Sequence, residues 1–98
     1  MTPAARTQAA IELLDRIVVA AREQGAAADT LIARYFAERR YAGSKDRRAV
    51  RALVYDAIRL AGECPVSGRA AMLGLAQTRP ELIEHFGRGE YGPAAIEQ

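Results

Sequence analysis

Cationic and aromatic side chains recur along one stretch of the sequence at a spacing that suits contact with a nucleic acid. Arg48, Arg51, Tyr55 and Arg59 follow one another at intervals of three and four residues. At about 100° per residue, an α-helix would hold all four within about 80° of one another. Guanidinium groups bind phosphate oxygens, and aromatic rings stack on unpaired bases. This cationic stripe therefore predicts contact with single-stranded or loop RNA.

Further basic residues lie in the segment just before the stripe. Residues 25–62 hold eight basic and four acidic side chains, whereas the whole chain of 98 residues has a net charge of only +2. Thirteen of the fourteen basic residues are arginine, whose planar fork suits phosphate recognition. The candidate RNA contacts in this region are Arg39, Arg40, Lys45, Arg48, Arg51, Tyr55 and Arg59. The alternative is a solvated charged face that binds nothing.

The adjacent Asp46 and Arg47 point away from the stripe on the same helical wheel. Both fall near the apolar sector that contains Val50 and Leu53, so we expect them to be half-buried. A carboxylate that is withdrawn from water needs a partner. The sequence predicts a structural ion pair at Asp46 and Arg47, with an arginine of this or a neighbouring helix beside Asp46. A direct role in binding is the alternative.

The remaining reactive residues do not form a catalytic or metal-binding set. Cys64 and His85 are the only cysteine and histidine, and they are far apart in the chain. A thiolate nucleophile needs a base or a helix N-terminus to activate it, and a metal site needs several ligands. We expect Cys64 to be a small apolar residue near a helix start and His85 to be a packing or surface residue. The prediction is no enzyme activity, no cofactor and no metal in this chain.

Apolar residues at intervals of three and four predict an all-α bundle of about five helices that positions these side chains. The strongest pattern is the one that carries the stripe, and no alternating strand pattern of useful length occurs. Predicted starts and ends are Thr2 to Gly25, Asp29 to residues 42–44, Ser44 to Gly62, a start within residues 65–68, and Pro80 to Gly87.

Length and composition limit the class of protein. A chain of 98 residues forms one domain at most, and 50% hydrophobic with 27% charged residues is typical of a folded domain. One cysteine excludes an intramolecular disulfide, which favours a reducing compartment. No run approaches the roughly 20 apolar residues of a membrane span, and the N-terminus lacks an apolar signal core. The sequence predicts a soluble cytoplasmic protein.

Three segments occur in a recognisable order within about residues 4–62. They are RTQAAIELL at residues 6–14, then Gly25 with Ala28-Asp29 and Leu31, then SKDRR at residues 44–48 followed by Leu53-Val54-Tyr55 and Ile58-Arg59. This order resembles the NusB-like N-terminal domain of the RsmB (Sun/Fmu) family, whose members are S-adenosylmethionine-dependent ribosomal RNA cytosine-5 methyltransferases.

The resemblance implies a NusB-like RNA-binding domain over residues 1–87, with residues 88–98 as a tail or linker toward a catalytic domain that this chain lacks. S-adenosylmethionine would bind that absent domain, and the implied partners are ribosomal RNA and the catalytic domain of the same polypeptide. Arg6 joins the candidate RNA contacts, since the N-terminal helix of NusB-like domains binds RNA. The family uses a cysteine that follows a proline. Cys64-Pro65 has the reverse order, so no catalytic role is transferred to it.

A different class of function stays open beside RNA binding. Val19 falls on the polar side of the first predicted helix, which is compatible with a protein-interaction module. A stand-alone NusB-like antitermination factor is the alternative within the same fold.

Overall fold

The computed structural model describes residues 1–96 as one helical unit. No strand occurs in this part of the chain, so the prediction of an all-α bundle with about five helices is confirmed. None of its helices is both long and apolar enough to cross a bilayer. The elements are α1 (Pro3–Arg22), α2 (Ala28–Ala37), α3 (Ser44–Ala61), α4 (Gly68–Thr78) and a 3₁₀ helix (Pro80–His85).

Helix α1 is the central element, and every other helix packs against it. Its start follows the predicted signals, because the Thr2 hydroxyl accepts a hydrogen bond from the Ala5 N–H and Pro3 is the first helical residue. Helix α4 approaches it most closely at Gly68, where an added Cβ would lie 2.1 Å from the Ile11 carbonyl oxygen. The Gly68 N–H donates to the Asp15 carboxylate at 2.7 Å, so a hydrogen bond fixes this contact.

Helix α3 turns its apolar side inward as predicted. Val50, Val54 and Ala57 are buried, while Arg48, Arg51 and Arg59 are exposed. The helix ends at Gly62, whose φ of +72° is costly for a residue with a side chain. Two predicted caps are displaced by one or two residues: Gly43 caps α3 in place of Ser44, and Ala27 caps α2 in place of Asp29. Asp29 instead lies in the first turn of α2.

The C-terminal segment folds back onto the bundle, which corrects the predicted domain boundary at Gly87. Gly87 and Gly89 have φ values of +78° and +70°, and they turn the chain back. The Gly87 N–H then donates to the Pro93 carbonyl oxygen at 2.7 Å, and Pro93 is buried. The folded unit thus extends past residue 87 to at least Ala95, which accepts a hydrogen bond from Arg69. Residues 97–98 of the predicted tail lie outside the described residues.

Candidate nucleic-acid interface

A groove separates α2 from α3 and holds most of the unpaired positive charge near the predicted stripe. Both helices pack on α1 but contact each other little, which leaves a groove of about 610 Å³ between them. Ile32 and Phe36, both buried, line its apolar part. We call this surface the arginine groove, after the four arginines that line it: Arg40, Arg47, Arg48 and Arg51.

The arginine groove is cationic because its four arginines face a single carboxylate, that of Asp29. Within residues 1–96, neither Arg40, Arg47 nor Arg48 forms an ion pair. The Arg47 Nε donates to the Ala42 carbonyl oxygen at 3.1 Å, and its guanidinium carbon lies 6.0 Å from the centre of the Phe36 ring. Its charge is therefore positioned by neutral groups and is not cancelled by an acid.

The predicted stripe residues Arg51 and Tyr55 both contact Asp29 on the first turn of α2. Arg51 donates to this carboxylate at 3.0 Å, and the Tyr55 hydroxyl donates to the same oxygen. The hydrogen bond to Asp29 is the main reason why the pKa of Tyr55 is raised, and burial adds to it. The Tyr55 ring packs against the core and is only partly exposed, and its hydroxyl links α3 to α2.

Two other predicted contacts lie on α3 outside the groove. Lys45 is exposed in the first turn, and it does not line the groove. Arg59 is more than three-quarters exposed and donates at 3.0 Å to Asp56, a carboxylate that is 25% exposed and also accepts from Arg79 at 2.6 Å. An ion pair made by so exposed an arginine contributes little to stability and is screened by salt. The cationic surface therefore continues past the groove in a weaker form.

Arg6 was predicted to contact RNA, but the structure places it in an internal ion pair. Its Nε donates to the Asp46 carboxylate at 2.8 Å, which joins α1 to α3. The same carboxylate accepts from the Gly43 N–H at 3.2 Å and from the Met1 ammonium at 3.3 Å. The Arg6 hydrogen bond is the main cause that lowers the pKa of Asp46, against the opposing effect of burial.

Of the two residues predicted to take part in a structural ion pair, Asp46 does so and Arg47 does not within residues 1–96. Asp46 is buried as expected, and the arginine beside it comes from a neighbouring helix. Arg47 is exposed and lines the arginine groove. The helical wheel placed both residues near the apolar sector, but a long arginine side chain extends past a buried backbone position to reach water.

Arg39 and Arg40 both follow the end of α2, but Arg39 does not line the arginine groove, so the predicted cationic region is divided. The Arg39 guanidinium carbon lies 3.7 Å from the centre of the Tyr35 ring, and its nitrogen donates to the Tyr35 carbonyl oxygen at 3.3 Å and to Glu38 at 3.5 Å. This side chain lines a second cavity of about 750 Å³. We call this cavity the tyrosine pocket, and its side chains include Gln8, Glu12, Tyr35, Arg39, Tyr41 and Tyr91.

The sequence did not indicate the tyrosine pocket, because its residues come from distant segments. Tyr91 belongs to the predicted tail. The glycine turns that bring it back to the bundle appear in the sequence only as separate glycines. The Tyr35 side chain is buried in the core, and its hydroxyl donates to Glu12 at 2.5 Å. Burial, followed by this hydrogen bond, raises the pKa of Tyr35. A buried tyrosine hydroxyl that needs a partner was the available signal.

The lone cysteine and the lone histidine have different surroundings. Cys64 is exposed in the loop before α4. His85 packs at the end of the 3₁₀ helix, where its Nδ1 is 2.7 Å from the hydroxyl oxygen of the buried Thr7. In the part of the chain that is described, no group of three histidine, cysteine or acidic side chains could hold a metal ion.

Comparison of the chain with family models, with curated proteins and with solved structures gives no match.

Proposed function

We propose that this chain is an RNA-binding helical module that holds phosphates of a single-stranded or loop segment in the arginine groove. The observation that carries the proposal is the convergence of Arg40, Arg47 and Arg48 without acidic partners among the described residues. Arginine side chains that are not neutralised locally can replace the counterions around a polyanion. Because the groove is concave, its arginines can contact several phosphates at once.

The resemblance to the RsmB family suggests the larger protein in which such a module would act. In this proposal the chain is the accessory domain of an S-adenosylmethionine-dependent 16S ribosomal RNA cytosine-5 methyltransferase of the cytoplasm. The module positions ribosomal RNA and performs no chemistry itself. The catalytic domain, with its S-adenosylmethionine, would be supplied outside these 98 residues. The all-α bundle supports this role as a compatible fold, and the sequence segments within residues 4–62 support the family.

The test compares two exposed arginines in fluorescence-anisotropy titrations with a labelled single-stranded RNA. Arg48 lines the arginine groove, whereas Arg88 is exposed near the start of α1, away from the groove. Arg48→Gln should weaken binding about tenfold at low salt, and Arg88→Gln should weaken it less than twofold. Equal effects of the two substitutions, or no binding by the wild type, would reject the groove as the RNA site.

An exposed apolar pair supports a protein-interaction module as a second candidate. Val19 and Val66 are 50% and 81% exposed, and Arg22 brings their segments together by donating to the Val66 carbonyl oxygen at 3.5 Å. Exposed valines on one side of a bundle fit a contact with another protein, such as the partner of an antitermination factor. Chemical-shift mapping separates the candidates, because RNA should perturb the arginine groove and a protein partner should perturb Val19 and Val66.

A further inference from the structure

The tyrosine pocket has the composition of a binding site, and the proposed phosphate contacts do not use it. Tyr41 and Tyr91 are 74% and 73% exposed, although an aromatic ring of this size is usually largely buried. Both rings line the same cavity, one from the α2–α3 connection and the other from the returning C-terminal segment. Two exposed rings at one cavity provide surfaces on which a flat aromatic ligand can stack.

Two polar side chains of α1, Gln8 and Glu12, line the pocket together with Arg39 from the α2–α3 connection. Gln8 and Glu12 are four residues apart and therefore neighbours on the helix. Within residues 1–96, Glu12 forms no ion pair, and one of its oxygens accepts the Tyr35 hydroxyl. A carboxylate has about four acceptor positions, so Glu12 retains capacity to accept hydrogen bonds from a ligand. The pocket thus combines stacking surfaces with a hydrogen-bond acceptor.

Adjacent residues of the α2–α3 connection line the tyrosine pocket and the arginine groove. Arg39 lines the pocket, the next residue, Arg40, lines the groove, and Tyr41 follows in the pocket. A strand whose phosphates lie beside Arg40 can therefore direct a neighbouring base toward Tyr41. In a duplex the bases are stacked and paired, so only a single strand or a loop offers such a base.

We propose that the tyrosine pocket receives one unstacked guanine base of the RNA whose phosphates lie in the arginine groove, an inference that rests on the proposed RNA-binding function. Guanine carries its N1–H and N2–H donors side by side, which matches a carboxylate that only accepts. Adenine, cytosine and uracil each place an acceptor beside their donor on this edge, and the Glu12 carboxylate would repel it. The Tyr41 and Tyr91 rings supply the stacking contact.

The experiment measures binding of three labelled RNAs of equal length: a uridine strand with one central guanine, the same strand with an abasic site there, and the same strand with adenine there. Wild type should bind the guanine strand about five- to 150-fold more tightly than the abasic strand, which corresponds to about 1–3 kcal/mol for the stacking of one base. Tyr41→Leu and Tyr91→Leu should each remove most of this ratio. Tyr91→Phe is the matched control, and it should keep the ratio because the ring remains.

A pocket that serves a protein partner would leave the guanine and abasic strands bound equally, and that result would overturn the proposal. A ratio that survives both leucine substitutions would also overturn it. If wild type binds the guanine and adenine strands with equal affinity, the assignment of guanine is overturned. The folded Glu12→Gln variant, in contrast, should bind these two strands equally.

The design separates this inference from the proposed function on which it rests. If only the base pocket is wrong, Arg48→Gln still weakens the binding of all three strands while the tyrosine variants bind as wild type. If the RNA-binding function is wrong, none of the three strands binds and both proposals are overturned. Circular dichroism of each variant is the control for folding, and each spectrum should match that of the wild-type bundle.

Discussion

Arginines serve opposite purposes at Asp46 and in the arginine groove. At Asp46, Arg6 meets a carboxylate whose side chain is only 13% exposed, and it ties α1 to α3. In the groove, Arg40 and Arg48 are exposed, and no acidic partner lies within ion-pair distance among the described residues. A guanidinium beside a buried carboxylate is committed to the fold, because separating the pair would leave a charge without water. A guanidinium in an open groove stays available for a ligand.

The largest expected effect is on RNA binding when the groove charges are reversed. Arg40→Glu with Arg48→Glu should lower RNA affinity by more than about a hundredfold, since neutralising one such charge costs about tenfold and each new carboxylate also repels phosphate. Stability should change by less than about 0.5 kcal/mol, since both side chains are exposed and unpaired. Titration calorimetry and thermal unfolding measure the two quantities. If the variant has the same unfolding temperature and the same RNA affinity as wild type, the arginine groove has no role in binding.

Replacing Arg6, the arginine bound to Asp46, should lower stability and leave RNA affinity nearly unchanged. Arg6→Gln should lower the midpoint of thermal unfolding by about 5 °C or more, because the Asp46 carboxylate loses its shortest hydrogen bond. RNA affinity of the folded variant should stay within about twofold of wild type. Calorimetric unfolding and anisotropy titrations at a temperature below the transition provide the test. A loss of affinity without a loss of stability would return Arg6 to the RNA contacts.

Acid should lower the stability that the Asp46 ion pair with Arg6 contributes, because Asp46 is protonated at low pH. The hydrogen bond from Arg6 holds the folded-state pKa of Asp46 below its ordinary value of 3.8. The ionised carboxylate therefore contributes its full stabilisation above that ordinary value, and the contribution is lost as the pH falls through the lowered pKa. Thermal unfolding from about pH 6 to about pH 2 should show a steeper decline for wild type than for Asp46→Asn. Parallel declines would mean that Asp46 contributes no pH-dependent stability.

The smallest effect is expected at the one carboxylate of the groove. Asp29→Asn releases Arg51, so RNA affinity should increase about two- to fivefold at low salt. Stability should fall by less than about 1 kcal/mol, because the pair is largely exposed. The pKa of Tyr55 should also fall, since its hydroxyl loses an ionised acceptor, and absorbance of the tyrosinate band follows this change. An unchanged affinity would show that Arg51 lies outside the contact.

Helix formation was largely predictable from the sequence because it depends on local spacing. The apolar residues of α3, the Thr2 cap and the stop at Gly62 are all local signals, and each is confirmed. Pairings across the bundle were not predictable in the same way. The partner of Asp46 is forty residues away on α1, and nothing in the spacing of α3 selects Arg6 over Arg47.

The site was predicted in part for the same reason. Arg48 and Arg51 share a face of one helix, so their common exposure follows from periodicity. Arg39 and Arg40 are adjacent in the connection between α2 and α3, and periodicity does not specify the backbone turn that places them at different cavities. Tyr91 returns to the bundle because Gly87 and Gly89 adopt left-handed backbone angles. The presence of glycine and proline in this segment does not specify those angles.

The salt dependence of RNA binding tests the central claim most directly. If about four phosphates meet the arginines of the groove, log affinity should fall against log salt concentration with a slope of roughly −3 for a single strand. Arg48→Gln should reduce this slope by about 0.7. An affinity that does not change with salt, or a slope that Arg48→Gln leaves intact, would contradict the account.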